Sequence, residues 1–476
     1  FRTADKLAMS MGFAPDSPER LDEALVYTLT DAESRGHLCM EKRTFLRDCL
    51  KLLDTEGLTE KLLAERVVRL IQEERLVTYD DSIFKCSTAR VETNLAAQIA
   101  RMLDGYVPPY EGLDGAIDAE ERKLRFRLAP EQRAAIKMAL TSKFCVITGG
   151  PGTGKTSVQR ALLDLYREQF PTAKIVCCAP TGKAARRMEQ STGQPASTVH
   201  HALGLLGNDE GQYGEPAQLE ADLILIDEVS MLDIYLAEKL LKATPASARL
   251  ILVGDSDQLP SVGAGNVLGD LLKSGVIPAV TLTEIFRQAQ HSAIIRNAHA
   301  VNSGRGPELQ NNQNDFFFLR RRAPEALVET VVGLCKQRLP DNMGIPAGEI
   351  QVLSPTRKGV CGTVNLNRAL QSVLNPPAAN KRQKLWGDLL LREGDRVMQT
   401  KNNYDVLWES SDGSMGTGIF NGDVGIIEDI DPSGEMVTVR FDERTCIYTN
   451  EMLSQLELAY AMTVHKAQGS EYRAVV

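Results

Sequence analysis

The sequence predicts an α/β protein built on parallel sheets, with a helical amino-terminal region before them and a small β-rich insertion in its second half. Three observations predict this. The apolar run Phe144-Cys-Val-Ile-Thr148 passes directly into a glycine-rich turn and then into a helical stretch, Ser157 to Gln169. From Lys174 to Gly254 short apolar runs alternate with helical periodicity, the pattern of a parallel sheet covered on both faces. Between Gly394 and Phe441 the periodicity shortens to that of strands parted by Asn-Gly and Ser-Gly turns, which marks a small barrel.

The amino-terminal region, residues 1 to 110, is read as helices over Leu21 to Thr30, Lys42 to Leu53, Leu58 to Glu73 and Val91 to Leu103. Between the third and fourth, Arg75 to Phe84 reads as a strand, a turn and a strand. Helices followed by such a wing suggest a winged-helix-like module, and Phe1 to Ala8 resembles the tail of a helix-hairpin-helix unit. Both readings, nucleic-acid binding and packing alone, stay open. Residues 111–124 read as a linker, with Tyr106-Val-Pro-Pro-Tyr110 before it and an acidic stretch, Asp114 to Glu121, inside it.

A chain of 476 residues with 25% charged and 43% hydrophobic content is long enough for about three globular domains. It has no run of 18 apolar residues, so no membrane span is expected, and it shows no secretory leader. The nine cysteines include no C-x-x-C pair, so they read as buried thiols in a reducing cytoplasm, where the protein is expected. A formal charge of −9 argues against a globally basic nucleic-acid binder, but basic clusters at Lys183 to Arg187 and Lys381 to Lys384 leave room for a local channel.

The chemistry is concentrated in Gly149-Gly150-Pro151-Gly152-Thr153-Gly154-Lys155-Thr156, which fits the phosphate-loop pattern in full and continues through Ser157 into a helix. Glycines let backbone N–H groups turn inward around phosphates, Lys155 reaches the β and γ phosphates of ATP, and the Thr156 hydroxyl suits Mg²⁺. The alternative is a glycine-rich turn without a ligand. Upstream, Gln132 follows Pro130 on a helix and is placed to read an adenine edge, although a lone helical glutamine is usually just solvated. Downstream, the buried strand Leu223 to Ile226 ends in Asp227 and Glu228. Asp227 is expected to hold Mg²⁺ and Glu228 to polarise the attacking water.

Further along, Gln258 follows the strand Arg249 to Gly254 and is read as the sensor of the γ-phosphate. Arg287, in Glu284-Ile-Phe-Arg-Gln288, is the candidate for stabilising transition-state charge. Polar turns at Pro180-Thr181-Gly182 and at Ser197, Thr198 and His200 are candidates for holding strand phosphates. A capping or core histidine is the alternative for His200.

Together with Leu353 to Gly359 and Thr463-Val-His-Lys-Ala-Gln-Gly-Ser-Glu471, these segments resemble the motifs of superfamily 1 DNA helicases, in their RecD-type branch. The resemblance is strong over residues 125 to 476 and weak before. It implies two RecA-like motor domains, placed at 125–280 and at 281–385 with 452–476, and a Src-homology-3-like barrel at 386–451. It implies that Gly469 and Glu471 contribute to the nucleotide site, and that Thr356, Asn402, Asn403, Thr463 and His465 join Thr181 and Thr198 in holding DNA.

The implied function is ATP-dependent, 5′ to 3′ translocation on single-stranded DNA, with unwinding of duplexes that carry a 5′ tail, in DNA repair or recombination. A monomeric motor with protein partners in a repair complex is expected. An ATP-gated scaffold subunit of a repair complex and an RNA-directed superfamily 1 motor are the alternatives. A duplex-splitting hairpin or a disordered loop is expected at Gly207 to Gln218, around Tyr213. The family's sixth motif does not follow Glu471, so the expectation is a protein longer than Phe1 to Val476, with poor ATP hydrolysis as the alternative.

Overall fold

The structure is a computed structural model that describes residues 1–205, 215–284, 291–311, 315–411 and 413–476. They fall into two compact units. The first holds Phe1–Cys177, Ala202–Gly204 and residues 215–284, and the second holds Cys178–His201, Leu205 and the described residues from 291 onward.

The first unit begins with a helix, Arg2–Ser10, followed by the winged arrangement that the periodicity predicts. Helix Pro18–Ser34, strand Cys39–Glu41, helices Lys42–Leu53 and Glu60–Gln72, and the hairpin Leu76–Tyr79 with Ser82–Lys85 follow in that order. The first strand pairs antiparallel with the third, completing a three-stranded sheet. Leu25, Leu29, Phe45, Leu63, Leu70 and Ile83 recur at helical and strand spacing and close one buried core. Thr59 caps its helix by accepting the Leu62 N–H at 3.3 Å. The long helix Cys86–Leu103 then packs on helix Ile234–Ala243, where the Thr88 and Tyr235 hydroxyls are 3.1 Å apart.

The segment expected as a linker is instead a packed helix, Leu113–Leu124. Its acids are spaced so that one face meets the next helix, Pro130–Thr141. Arg133 pairs with Asp118 at 2.7 Å and Glu121 at 2.9 Å, and Lys137 pairs with Asp114. Ile117 is buried beneath, so the acidic run is one solvated side of an amphipathic helix.

Within this unit the parallel pairing runs from Leu223–Ile226 through Arg249–Gly254 and Phe144–Gly149 to Ala279–Leu282, and strand Ile175–Ala179 of the same sheet crosses the unit's boundary after Cys177. Register pairs such as Ile147 with Val253 and Leu225 with Ile251 fix it. Its three central strands are buried at every residue, which is why they read as unbroken apolar runs.

In the second unit, strand Ile350–Ser354 lies between the parallel partners Ala461–Thr463 and Ala474–Val475. Asn367, on helix Thr363–Leu374, donates to the Leu458 and Ala461 carbonyls at 3.0 and 2.9 Å and accepts the Ala461 N–H at 2.7 Å. The β-rich insertion is a seven-stranded antiparallel sheet in the order Met415–Ile419, Asn403–Ser410, Arg444–Thr449, Met436–Phe441, Val424–Ile430, Arg396–Gln399, Leu456–Leu458. Its pairing starts before residue 400 and ends beyond 451, and a separate hairpin, Gln383–Trp386 with Leu389–Arg392, precedes it. Val437, Val439 and Phe441 alternate inward with Ile427, Ile430 and Tyr448 to form the core. The expected Asn-Gly turn is Asn421-Gly422, which parts strands Met415–Ile419 and Val424–Ile430 and where Gly422 takes φ of +89°.

Candidate nucleotide and nucleic-acid sites

Strand Phe144–Gly149 delivers the chain into the glycine-rich loop, and helix Lys155–Gln169 leaves it. Gly152 and Gly154 take φ of +77° and +81°, a conformation L side chains rarely adopt. A Cβ on Gly149 would lie 2.7 Å from Thr153 Oγ1 and 2.9 Å from Leu282. The loop is cross-tied by Thr153, whose hydroxyl donates to the Gly150 carbonyl at 2.8 Å. Lys155 Nζ donates to the carbonyls of Gly149 and Gly150 at 2.6 and 3.3 Å. No side chain caps the helix at Gly154, so its first N–H groups and the Lys155 ammonium form a cradle suited to an anion. Pro151, Gly152 and Thr156 are exposed at its rim, and Ser157 is half-buried.

Gln132 is buried under this loop. Its Nε2 donates to the Thr153 carbonyl at 3.0 Å, and its Oε1 accepts the Ala129 N–H at 3.0 Å. Both ends of the amide are therefore engaged by backbone, and its direct role in this structure is to fix the loop.

Asp227 and Glu228 follow strand Leu223–Ile226 at its carboxyl end, the end at which parallel sheets bind ligands. Asp227 Oδ1 accepts the Glu228 N–H at 2.9 Å, and Glu228 takes φ of +53° as the chain turns. Gly254, at the end of the neighbouring strand, lets the next residues approach: a Cβ there would stand 3.3 Å from the Val229 and Ser230 nitrogens. Gln258 is exposed on the following loop, which is tied to the phosphate-loop strand where Ser256 N–H donates to Thr148 Oγ1 at 3.2 Å. Arg287 lies outside the described residues, as do Tyr213 and residues 207–214 of the expected hairpin.

Thr356 and Thr463 are brought together in the second unit. Thr356 lies two residues beyond strand Ile350–Ser354, and Ser354 is in register with Thr463, so Thr356 and Thr463 stand at the carboxyl ends of adjacent parallel strands. Thr463 Oγ1 accepts the Lys466 N–H at 3.4 Å, and His465 is exposed beside it. Asn402 and Asn403 are held in place rather than free to swing. Asn402 Oδ1 accepts the Asn421 N–H at 2.9 Å, and Asn403 Nδ2 donates to Gln455 Oε1 at 3.0 Å.

Thr181 and Thr198 flank helix Gly182–Thr192, which Thr181 caps and which packs on the insertion. A Cβ on Gly182 would meet the Phe420 ring at 3.1 Å, and Arg186 pairs with Asp442 at 2.9 Å. Glu471, expected at the nucleotide, pairs with Arg187 of the same helix at 2.6 Å, and Gly469 takes φ of +72° just before it. Pro180 precedes the capping turn. Thr198 Oγ1 accepts the His201 N–H at 3.1 Å beside the half-buried Ser197, and burial pushes the His200 pKa down.

Three family models match the chain. They are the AAA domain at residues 127–318, the ATP-dependent RecD-like DNA helicase SH3 domain at 366–441 and the ATP-dependent RecD2 DNA helicase HHH domain at 1–39. In two of these three domains the chain is RecD-like. The ATP-dependent RecD2 DNA helicase of Deinococcus radiodurans is 34% identical over 100% of this chain and 64% of its own length. The RecBCD enzyme subunit RecD of Mycolicibacterium smegmatis is 32% identical over 72% of the chain and 64% of its own. The RecD-like chain thus spans just under two thirds of the length of these curated relatives. Among solved structures, the Pif1 helicase from Candida albicans aligns with a TM-score of 0.41 at 19% identity, covering 74% of this chain and 88% of its own.

Sequence reasoning missed three residues that position these candidate sites. Thr148 ties the Gln258 loop to the phosphate-loop strand, and a threonine inside an otherwise apolar run was its signal. Glu131, whose carboxylate accepts the Thr283 N–H at 2.6 Å, had a weaker one as the neighbour of Gln132. Phe420 had none, because its partner Gly182 is remote in sequence.

The nine cysteines are free thiols, six of them buried, and burial pushes the Cys145 thiol up to about 12. Among the described residues no group of histidines, cysteines and acids could hold a metal ion, and no helix is long and apolar enough to cross a membrane.

Proposed function

We propose that this protein is an ATP-dependent DNA helicase that translocates 5′ to 3′ on single-stranded DNA and unwinds duplexes with a 5′ tail, in DNA repair or recombination. One observation carries the proposal: the Lys155 cradle and the Asp227-Glu228 pair stand at the carboxyl ends of strands of one parallel sheet. A cradle of uncapped helix N–H groups with a half-buried lysine fits a polyphosphate, and a hydroxyl and an acid on its rim fit Mg²⁺.

Bound ATP with Mg²⁺ would supply the transferable phosphoryl group. In this reading Lys155 and the first N–H groups of its helix bind the phosphates, while Thr156 and Asp227 hold the metal. Glu228 takes the proton of the attacking water, and Gln258 senses the γ position. Arg287, Gly469 and Glu471 are assigned as further nucleotide contacts. Thr181, Thr198, Thr356, Asn402, Asn403, Thr463 and His465 are assigned to the strand. The direction rests on resemblance to the RecD-type branch. A stand-alone motor is favoured over a complex subunit, because the relative named RecD2 matches the amino-terminal region whereas the RecBCD subunit matches only 72% of the chain.

The test is unwinding of duplexes with a 5′ or a 3′ single-stranded tail, with Lys155→Ala and Glu228→Gln as controls. Unwinding from the 5′ tail and a loss of ATP turnover of about 10²-fold or more in each control are expected. Unwinding from a 3′ tail alone, or unwinding that survives Lys155→Ala, would overturn the proposal. ATP turnover on single-stranded DNA without strand displacement would point to the scaffold reading instead.

A further inference from the structure

Helix Gly182–Thr192 and strands Arg396–Gln399 and Val424–Ile430 border a cleft of about 300 Å³ in the second unit. Its charged lining consists of Lys183, Arg396, Arg440, Asp423 and Asp442. The acids are already matched. Asp423 pairs with Arg444 at 3.0 Å, Asp442 pairs with Arg186 at 2.9 Å, and Arg440 is held by Glu428.

Lys183 and Arg396 are left with neutral partners. Lys183 Nζ donates to Ser470 Oγ at 3.4 Å and lies 5.6 Å from the centre of the Tyr472 ring. Arg396 Nη1 donates to the carbonyls of Gly348 and Ile350 at 3.3 and 3.1 Å. Among the described residues no carboxylate stands within ion-pairing distance of either cation. Holding a half-buried guanidinium without an anion costs free energy, and burial accordingly pushes its pKa down. Two such cations on one cleft, beside the positive end of the 11-residue helix Gly182–Thr192, make a place for a ligand that brings the missing charge.

We propose that this cleft binds a phosphate group, with Lys183 and Arg396 as its cationic arms. The source is either a phosphodiester of the DNA strand, which rests on the helicase reading, or a free phosphate or nucleotide phosphate, which does not.

The experiment compares wild type, Lys183→Gln, Arg396→Gln, Arg396→Lys and the Lys183→Gln/Arg396→Gln double variant. Affinity for a fluorescent oligo-dT strand is measured across KCl concentrations, and binding of inorganic phosphate is measured by calorimetry. For a strand phosphate, the double variant loses about 0.7 from the slope of log affinity against log salt, the value of one phosphate contact on single strands, and Arg396→Lys keeps most of it. For a free phosphate, the slope is unchanged while phosphate binding weakens tenfold or more in both glutamine variants. If slope and phosphate affinity match wild type in the double variant, the proposal is overturned. Should Arg396→Gln melt below wild type, the surface-accessible Lys183→Gln carries the comparison alone. A wild type that ignores the strand would sink the helicase reading, and the phosphate titration would still decide the cleft.

Discussion

Gln132 and Thr153 are joined by a buried 3.0 Å hydrogen bond from the glutamine amide to the threonine carbonyl, which braces the phosphate loop from beneath. Gln132→Glu keeps the acceptor for the Ala129 N–H but removes the donor to Thr153. The expected result is a loss of about 1–3 kcal/mol in stability, the range for an orphaned buried polar group, together with weaker nucleotide binding. Thermal melts with and without nucleotide check this. An unchanged melting temperature with altered adenine selectivity would instead favour base reading by Gln132.

Glu131 gives a pH-dependent tie to the same helix. Its carboxylate accepts the Thr283 hydroxyl and N–H, both at 2.6 Å, and the Glu284 N–H at 3.3 Å. The side-chain bond from Thr283, followed by the backbone bonds, holds its pKa below the usual 4.5. The folded protein therefore binds this proton less readily than the unfolded chain. The contribution to stability is present above about pH 4.5 and fades as pH falls through the lower folded value. Urea unfolding of wild type and Glu131→Gln from pH 7 to pH 3 is expected to show a gap that closes toward the acid end.

Asp395 is fully buried, and its two oxygens accept from four donors. These are Asn375 Nδ2 at 2.7 Å, Tyr460 OH at 2.9 Å, Gln371 Nε2 at 2.6 Å and the Arg392 N–H at 2.7 Å. Burial raises its pKa while these bonds oppose the rise. Asp395→Asn removes a desolvated charge yet points an NH₂ group at two of the donors. Destabilisation by about 1–3 kcal/mol is expected in chemical denaturation. A more stable variant would show that desolvation outweighs the four bonds.

Gly182 and Phe420 form the packing contact between helix Gly182–Thr192 and the insertion. Gly182→Ala is expected to destabilise wild type, because the new methyl meets the ring. In a Phe420→Ala background the same change is expected to be neutral or favourable, since the ring is gone and alanine is the better helix former. The double-mutant cycle checks a coupling of about 0.5–3 kcal/mol.

Legibility followed the range of the forces involved. Phe144 to Thr156 could be read directly, because a strand buried on both faces is an unbroken apolar run and the loop's backbone demands glycine. The winged arrangement was legible through helical periodicity, with Lys42–Leu53 matching its expected bounds. Helix Leu113–Leu124 was misread because its charges look like linker until Arg133 and Lys137 are placed opposite them. Strands Asn403–Ser410 and Arg444–Thr449 were not anticipated, because their polar alternation gains meaning only once each has a partner.

The sequence by itself determined the parallel-sheet core, the phosphate loop with Lys155 and Thr156, and the acids at 227 and 228, because local backbone geometry and two-sided burial restrict which residues can stand there. Tertiary structure alone decided that Gln132 braces the loop through Thr153, that the helix Thr181 caps packs on Phe420, and that Lys183 and Arg396 share one cleft. Those outcomes depend on contacts between residues distant in the chain, and no local pattern encodes which distant side chain supplies the missing hydrogen bond, ring or charge.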